Sequence, residues 1–403
     1  MTRPCLPRRQ VIGAASAAAL LAVVGCGAAQ TVRPSPSDLP RLRLRLVGET
    51  RLPHKLSFQN TLVGGLSGLD FDPATGALYL VSDDGGSNGP PRFYTARVTL
   101  SADKLEAIQL ASVVALKGLT APDPEAIRWH APSQSLLWTS EGNALLGAAP
   151  SLQQARVDGT LVRSFVLPPM FDFGVLDPAT NQGPRVNKTL EGLAITPDGS
   201  TAWLAMEAAL RQDGPEPTVA TPGGPCRFTQ IDIASGQVLK QIAYLPDAIA
   251  QAPSPPTADA DNGVVEILMI DAHRMLVLER AYMAGLSDRQ RNSIRLYAID
   301  TRPASNTLGV AALKPGNYSP AGKTLVADFA DFAALSRLDN TEGMCWGPNL
   351  TTSTGSAGSA GSAGSAGSAG KPSNRSLLFV SDDNFNARQI TQFVAFEFLE
   401  ESP

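Results

Sequence analysis

A short hairpin-like stretch constrains the architecture more than any other feature, because the chain repeats it. It contains an apolar run at Leu66–Phe71, a turn at Asp72–Gly76 and a second apolar run at Ala77–Ser82. The pairs Asp-Pro and Thr-Gly favour a turn, because proline fixes φ and glycine accepts positive φ. The flanking runs are short and rich in Leu, Val, Tyr and Phe, as strands are. The stretch therefore predicts a tight β-hairpin.

Four later segments follow the same plan. The first strands of the five copies begin near residues 67, 125, 191, 266 and 342, in steps of 58, 66, 75 and 76 residues. Further strand-like runs follow each copy, and a hairpin plus two outer strands makes a four-stranded blade. Repetition of such a unit is typical of a β-propeller, although these steps are longer than usual. We predict an all-β propeller of five blades, with a degenerate sixth blade as the alternative.

The segment before the first hairpin predicts how the ring closes. Leu42–Pro53 reads as an outer strand with no inner hairpin before it, so we expect it to complete the last blade. Residues 41–403 are then one propeller domain, which we expect to be monomeric. With 17% charged residues, a net charge of −4 and no basic block, the composition gives no support to nucleic-acid binding.

The N-terminal 26 residues have the features of a bacterial lipoprotein signal. Arg8 and Arg9 precede an apolar run, Val11–Val24, that ends at Gly25 and Cys26 and is too short to span a membrane. Cys26 would be the lipidated residue, and 27–40, rich in Pro and Ser, a flexible tether. We expect an exported, lipid-anchored protein of the bacterial cell envelope. An ordinary cleaved signal is the alternative, and the arginine pair leaves Sec and twin-arginine export both open.

Two further features of the sequence bear on the folded part. The Gly/Ser/Ala tract at 355–370 has low complexity and is expected to be a disordered insertion in the turn of the last hairpin. Cys226 and Cys345 are the cysteines outside the signal, and their separation by two blades predicts that they do not pair.

Acidic residues recur at both ends of the hairpins. Because the start of one antiparallel strand lies beside the end of its partner, all of these side chains should meet at one face of the propeller. At the starts stand Ser67, Glu125, Glu191, Glu266 and Glu342, and at the ends Asp83, Asp84, Glu141, Glu207, Glu279, Asp382 and Asp383. The alternative is that the acids cap blades and bind neighbouring loops.

Crowded carboxylates need a counter-charge, since they repel one another and raise one another's pKa. Ca²⁺ is one candidate, because it prefers six to eight oxygen ligands. The predicted metal ligands are Asp83, Asp84, Glu125, Glu191, Glu266, Glu342, Asp382 and Asp383. The other candidate counter-charge is arginine, which binds carboxylates and phosphates bidentately. The predicted substrate-binding residues are Arg92, Arg211, Arg280, Arg388, Asn187 and Asn340, and the candidate catalytic residues are Glu191, Glu342 and Arg280.

Several of these motifs, in this order, resemble the phytase-like family, described as carrying esterase-like activity of phytase. They are Leu66–Asp72, Val81–Gly85, Asn187–Leu193, Leu278–Arg280, Asn340–Met344 and Phe379–Phe385, within a resemblance that covers about residues 50 to 400. The resemblance implies a β-propeller, exported or membrane-anchored. True propeller phytases hydrolyse phosphomonoesters with several Ca²⁺ ions, which are held by carboxylates of the channel.

Three functions follow as hypotheses. The first is a Ca²⁺-dependent phosphomonoesterase or related esterase that acts on a small, possibly phosphorylated, molecule at the acidic channel mouth. The second is a binding propeller that captures a ligand or partner at the cell surface without turnover. The third is a metal-dependent, lactonase-like hydrolase with a single divalent ion.

Overall fold

A computed structural model describes residues 41–118, 122–173, 181–350 and 375–401. The predicted signal at 1–26, the tether at 27–40 and the Gly/Ser/Ala tract at 355–370 lie outside the described residues. No helix in this part of the chain is long and apolar enough to cross a membrane.

Five four-stranded antiparallel sheets, each of them one blade, contain all but two of the strands in the described residues, and those two pair with each other. Three strands precede the first blade: β1 (Arg41–Arg51), β2 (Ser57–Phe58) and β3 (Thr61–Leu62). Blade 1 contains β4 (Leu66–Asp72), β5 (Ala77–Ser82), β6 (Arg92–Leu100) and β7 (Leu105–Ala115). Blade 2 contains β8 (Pro124–His130), β9 (Ser135–Ser140), β10 (Ser151–Ala155) and β11 (Leu161–Ser164).

The remaining blades follow the same order from the inside outwards. Blade 3 contains β12 (Leu190–Ile195), β13 (Thr201–Met206), β14 (Cys226–Asp232) and β15 (Val238–Tyr244). Blade 4 contains β16 (Ala260–Met269), β17 (Arg274–Met283), β18 (Asn292–Asp300) and β19 (Lys323–Asp328). Blade 5 contains β20 (Asn340–Trp346), β21 (Ser376–Asp382) and β22 (Gln392–Glu401), with β1 as its outermost strand.

The five-bladed ring and its closure confirm the sequence prediction. β1 pairs with β22 along its whole length, from Arg41 opposite Glu401 to Arg51 opposite Gln392. The inner strands β4, β8, β12, β16 and β20 contact one another in sequence, and β20 returns to β4. Among the described residues there is no sixth blade and no α-helix.

The hydrophobic core is divided among the blade interfaces. Each of the five large apolar clusters joins two neighbouring blades; that between blades 5 and 1, for example, contains Leu69, Leu80, Leu378 and Phe393. Burial of apolar side chains between twisted sheets therefore holds the ring together. Cys226 and Cys345 lie buried and unpaired in blades 3 and 5, as predicted.

Candidate functional site

A polar cavity of about 500 Å³ occupies the end of the central channel at which the inner strands begin. We call it the acidic mouth. Its acidic lining residues are Asp83, Asp123, Glu125, Glu141, Glu191, Glu207, Asp261 and Glu342. Its other lining residues are Asn187, Lys188, Arg280, Tyr282, Arg291, Asn292, Asn340, Asn384, Asn386, Arg388 and Gln389.

The strand register shows how the fold brings these side chains together. Every inner strand has a β-bulge near its start, and bulges commonly redirect side chains next to functional sites. The equivalent residues at the bulges are Ser67, Glu125, Glu191, Val265 and Glu342. A second set of equivalent residues lies on or just after the neighbouring strand. The residue before each bulge pairs with a residue of that strand, and the next residue along that strand belongs to the set. These are Asp83, Glu141, Glu207, Arg280 and Asp382.

Blade 4 departs from the acidic pattern, and the structure places its two predicted acids one residue away from these positions. Glu266 takes the place that glycine has in blades 1, 3 and 5, and its carboxylate binds Arg128 at 2.7 Å instead of lining the mouth. Glu279 accepts hydrogen bonds from Tyr244 and Lys323 beside the outer strands. The equivalent positions hold Val265 and Arg280, so blade 4 contributes a cation to the mouth.

The carboxylates form two overlapping groups whose oxygens could hold a metal ion. One contains Asp123, Glu125 and Glu141, and the other contains Glu141, Glu191 and Glu207. Within each group, one oxygen per residue lies within 4.8 Å of the others. Glu141 belongs to both groups, so two cation positions would adjoin at this side chain.

Burial and mutual repulsion raise the pKa of every acid in these two groups. Burial is the largest cause, and it raises the pKa of Asp123 to about 6, of Glu141 to about 7 and of Glu207 to about 8. The pKa values of Glu125 and Glu191 are raised well above 4.5, with neighbouring carboxylates adding to the burial. Without a counter-charge, part of this cluster is therefore protonated at neutral pH.

The mouth also carries cations and amides. Arg280 approaches Glu342 at 3.4 Å, and its buried Nε has no hydrogen-bond partner. Burial lowers the pKa of Arg280, but Glu342, Asp261 and other acids outweigh it, so the net pKa is raised. Lys188 lies 3.1 Å from Glu216 at the rim. The mouth therefore combines carboxylates, mainly from blades 1 to 3, with cations and amides, mainly from blades 4 and 5.

Two glycines permit the close contacts at the mouth. A Cβ on Gly263 would lie 2.5 Å from Cγ of Glu207, so glycine lets that side chain lie against β16. Gly65 has φ of +60°, and a Cβ there would lie 2.1 Å from Oδ1 of Asp83. At both positions a side chain would displace a carboxylate of the mouth.

Comparison with known proteins identifies the family. The family model described as "Phytase-like: Esterase-like activity of phytase" matches residues 61–385, which is most of the chain. The chain belongs to the phytase-like family. This confirms the resemblance seen in the sequence motifs, and it supports a hydrolase-like propeller.

Other comparisons add little to the assignment of this phytase-like chain. No curated protein sequence matches it. It is similar to Kuenenia stuttgartiensis hydrazine synthase, at 14% identity and a TM-score of 0.31, over 72% of each chain. It is also similar to a structure titled the Dos1 propeller, at 7% identity and a TM-score of 0.32, over 82% of this chain and 68% of the other.

Some predicted site residues of the phytase-like propeller lie outside the acidic mouth, where they stabilise loops. Asp84 is 2.8 Å from Arg92, and both are buried. Arg92 also donates to Tyr94 and to the carbonyl of Leu62. Arg211 donates to the carbonyl of Pro184. These contacts order the loops of blades 1 and 3.

The acid pair of blade 5 lies behind the wall of the mouth. Asp382 is buried, and accepts hydrogen bonds from the backbone of Asn384 and the side chain of Asn340. Asp383 accepts from the backbone of Gly65, and thereby connects blade 5 to blade 1. Asn340 itself lines the mouth and donates to Glu342 at 2.9 Å.

Ten of the residues singled out in the sequence line the mouth: Asp83, Glu125, Glu141, Glu191, Glu207, Glu342, Arg280, Arg388, Asn187 and Asn340. The sequence analysis did not single out Asp123, Lys188 and Asp261. Asp123 precedes Glu125 by two residues, and Asp261 stands before the bulge of β16, so each had a signal in its position before an inner strand. The amides and Tyr282 come from loops and outer positions with no repeated pattern.

Proposed function

We propose that this phytase-like propeller is a divalent-cation-dependent phosphomonoesterase that works at the acidic mouth, with Ca²⁺ as the cation. One observation carries the proposal: two carboxylate groups that share Glu141 line one cavity together with the guanidinium of Arg280. A phosphate monoester needs cations for its oxygens, and the mouth offers both a place to hold divalent ions and a fixed positive side chain.

The donor set fits a hard divalent cation. Glu125 is 8% exposed, its carboxylate accepts no hydrogen bond from a described residue, and the charges that act most strongly on it are all acids. Buried carboxylates without donors or cations are costly, which favours a cation as their partner. All of the groups are oxygen ligands, as Ca²⁺ prefers. We assign Asp123, Glu125, Glu141, Glu191 and Glu207 as the residues that would hold it.

The cation, when bound, would act as a Lewis acid toward the phosphoryl group and lower the pKa of a water molecule. Arg280 would bind phosphoryl oxygens and stabilise the charge that develops on them, because its side chain lines the cavity. Glu342 fixes Arg280 through its 3.4 Å contact, and Asn340 in turn fixes Glu342.

The rim would orient the rest of the substrate. Arg388 and Asn187 are exposed there, and Asn384 and Gln389 offer amide donors and acceptors on the side of blade 5. Such groups suit a small, hydroxylated molecule better than an apolar one.

The test is an assay of the protein without residues 1–26 on p-nitrophenyl phosphate, phytate and p-nitrophenyl acetate, each with Ca²⁺ and with EDTA. We expect Ca²⁺-dependent release from a phosphate ester, and its loss in Arg280→Gln while Ca²⁺ still binds. Hydrolysis of the acetate alone would favour the lactonase-like or esterase alternative. Ca²⁺ binding with no turnover on any substrate would contradict the proposal and favour the binding propeller.

We also propose that the protein is exported and anchored by a lipid on Cys26. β1 begins at Arg41, opposite Glu401, at the end of blade 5 that lies away from the acidic mouth. Cys26→Ser should move the protein from the membrane fraction to the soluble fraction, and unchanged membrane association would contradict the anchor.

A further inference from the structure

A second cavity, of about 460 Å³, lies at the other end of the central channel, where the inner strands end. We call it the far pocket. Phe71, Trp129, Met269 and Trp346, each the last or next-to-last residue of an inner strand, form part of its wall. Sites for small molecules have this size, and their lining is mainly apolar and aromatic with a few polar groups. The far pocket therefore suits a small ligand with an apolar body.

One cation of the far pocket has no partner among the described residues. Arg375 lines the pocket just before β21, and its guanidinium stacks on Trp346, 3.5 Å from the ring centroid. That guanidinium makes no hydrogen bond and no ion pair within the part of the chain that the structure describes. Stacking leaves the N–H groups at the edge of a guanidinium free, and these groups bind a carboxylate bidentately. The rim of the pocket therefore favours a carboxylate on the ligand.

A second guanidinium of the pocket lies among the inner strands and has one unpaired donor. Arg128 is buried, donates through its terminal nitrogens to backbone carbonyls of β4, β16 and β20, and binds Glu266 at 2.7 Å. Its remaining donor, Nε, is buried without a hydrogen-bond partner. A buried donor without an acceptor is uncommon in folded proteins. The inner end of the pocket therefore favours an acceptor atom on the ligand.

An acid stands beside this guanidinium. Asp70 lines the pocket, and its carboxylate accepts a hydrogen bond from the backbone of Trp129 at 2.7 Å. Burial raises the pKa of Asp70 to about 6, although Arg128 acts to lower it. A carboxylate has lone pairs for several donors, and a hydroxyl group both donates and accepts. A hydroxyl on the ligand could therefore accept from Arg128 and donate to Asp70.

Three other polar side chains of the pocket are already bonded within the protein. Both ring nitrogens of His130 lie within hydrogen-bond distance of protein oxygens. Asp198 accepts hydrogen bonds from residues of its own turn, and the indole N–H of Trp346 donates to a backbone carbonyl. These side chains are less available to a ligand than the two guanidinium groups and the acid described above.

We propose that the far pocket binds a small aromatic carboxylate that carries a hydroxyl group at the opposite end of its ring, of the type of a p-hydroxyphenyl alkanoate. Its carboxylate would bind Arg375, its ring would lie against the apolar wall, and its hydroxyl would lie between Arg128 and Asp70. No residue of the acidic mouth takes part, so this binding is independent of the function proposed for the mouth.

The test is a calorimetric titration with p-hydroxybenzoate, p-hydroxyphenylacetate and p-hydroxyphenylpropanoate, which differ in the distance between hydroxyl and carboxylate. We expect at least one of them to bind with a Kd below about 1 mM. Its analogue without the hydroxyl, and its uncharged amide, should each bind about tenfold more weakly. EDTA should leave the binding unchanged, since no metal ion is involved. Absence of saturable binding by all three acids up to about 10 mM would overturn the proposal.

Two variants separate the two polar contacts. Arg375→Gln should remove the preference for the acid over its amide but keep the preference for the hydroxyl compound, whereas Asp70→Asn should do the reverse. Asp198→Asn is the matched control and should keep both preferences, because Asp198 also lines the pocket but is bound within its own turn by Thr196 and Ser200. A preference for the acid that survives in Arg375→Gln, or equal effects of all three variants, would contradict the proposed contacts.

Discussion

Glu141 differs from its neighbours in the acidic mouth because it belongs to both carboxylate groups. Glu141→Gln removes one charge from both, so it should weaken Ca²⁺ binding at each and lower affinity by about tenfold or more. Calorimetric titration with Ca²⁺ measures this. Asp158→Asn, at an exposed turn far along blade 2, is the control and should leave the isotherm unchanged. Equal isotherms for Glu141→Gln and the unmodified protein would show that Glu141 is not a ligand.

Gly263 offers a test of the mouth that removes no charge. The added Cβ of Gly263→Ala would meet Cγ of Glu207 at 2.5 Å and push its carboxylate from β16. We expect Ca²⁺ affinity to fall by about tenfold while the strands remain paired. Gly322→Ala is the matched control, because nothing lies within 4 Å of its added Cβ. If both alanine variants bind Ca²⁺ like the unmodified protein, Glu207 does not hold the ion.

The individual site residues were only partly predictable from the sequence. Acids at hairpin ends predicted that one face would be acidic, and the bulge positions of Glu125, Glu191 and Glu342 agree with that reading. In blade 4, however, Val265 and Arg280 occupy the equivalent positions, because the bulge fixes the register and apolar spacing alone does not show where it falls.

At the level of the elements, one ion pair connects all five inner strands. Arg128 binds carbonyls of β4, β8, β16 and β20, and Glu266 accepts from the backbone of Leu193 in β12. The five strands belong to different blades, so this pair fixes their positions relative to one another along the channel axis. This pair was not predictable from the sequence, because a buried arginine on an inner strand cannot be told from a surface charge before the ring is known.

Removal of one partner of this pair should strongly lower the free energy of unfolding. Arg128→Met leaves Glu266 buried without a counter-charge, which typically costs about 3–5 kcal/mol of stability. Arg128→Met combined with Glu266→Gly, the residue of blades 1, 3 and 5 at this position, should recover part of the loss. Urea denaturation measures both. A double variant that is less stable than the single one would contradict the role assigned to the pair.

For the whole molecule, the acidic mouth predicts how stability depends on pH. The pKa of Glu141 is about 7 and that of Glu207 about 8 in the folded chain, against 4.5 for an ordinary glutamate. Between about pH 4.5 and 8 the folded protein without cation holds protons that the unfolded chain has released, so the free energy of unfolding should fall as pH rises. Ca²⁺ should reverse the decline, because binding needs the ionised carboxylates.

Thermal unfolding in EDTA and in Ca²⁺, at pH 5, 6, 7 and 8, measures this dependence. Glu207→Gln in EDTA should flatten the decline, since the variant has one acid fewer to ionise. A midpoint that rises with pH in EDTA, or that Ca²⁺ does not change at pH 8, would be contrary to the expectation.

The five-bladed ring itself was predictable because each hairpin carries local signals that agree with the global fold. Turn residues such as Pro73 and Gly76, apolar runs and the repeat spacing all indicate the same unit. The second cavity, at the other end of the channel, was not predictable, since Trp129 and Trp346, which both line it, lie 217 positions apart (346 minus 129).

The position of β1 has a consequence for how the protein folds during synthesis. β1 pairs only with β22, so the first strand to be synthesised has no partner until the last one has emerged. Arg41, Arg43 and Arg45 alternate with leucines along it, and their exposed charges discourage pairing with the edge of another nascent chain. Two of these arginines later meet acids of β22: Arg43 binds Glu401 at 3.0 Å and Arg45 binds Glu397 at 2.6 Å. β1 therefore discourages intermolecular pairing during synthesis and then closes the ring when β22 has emerged.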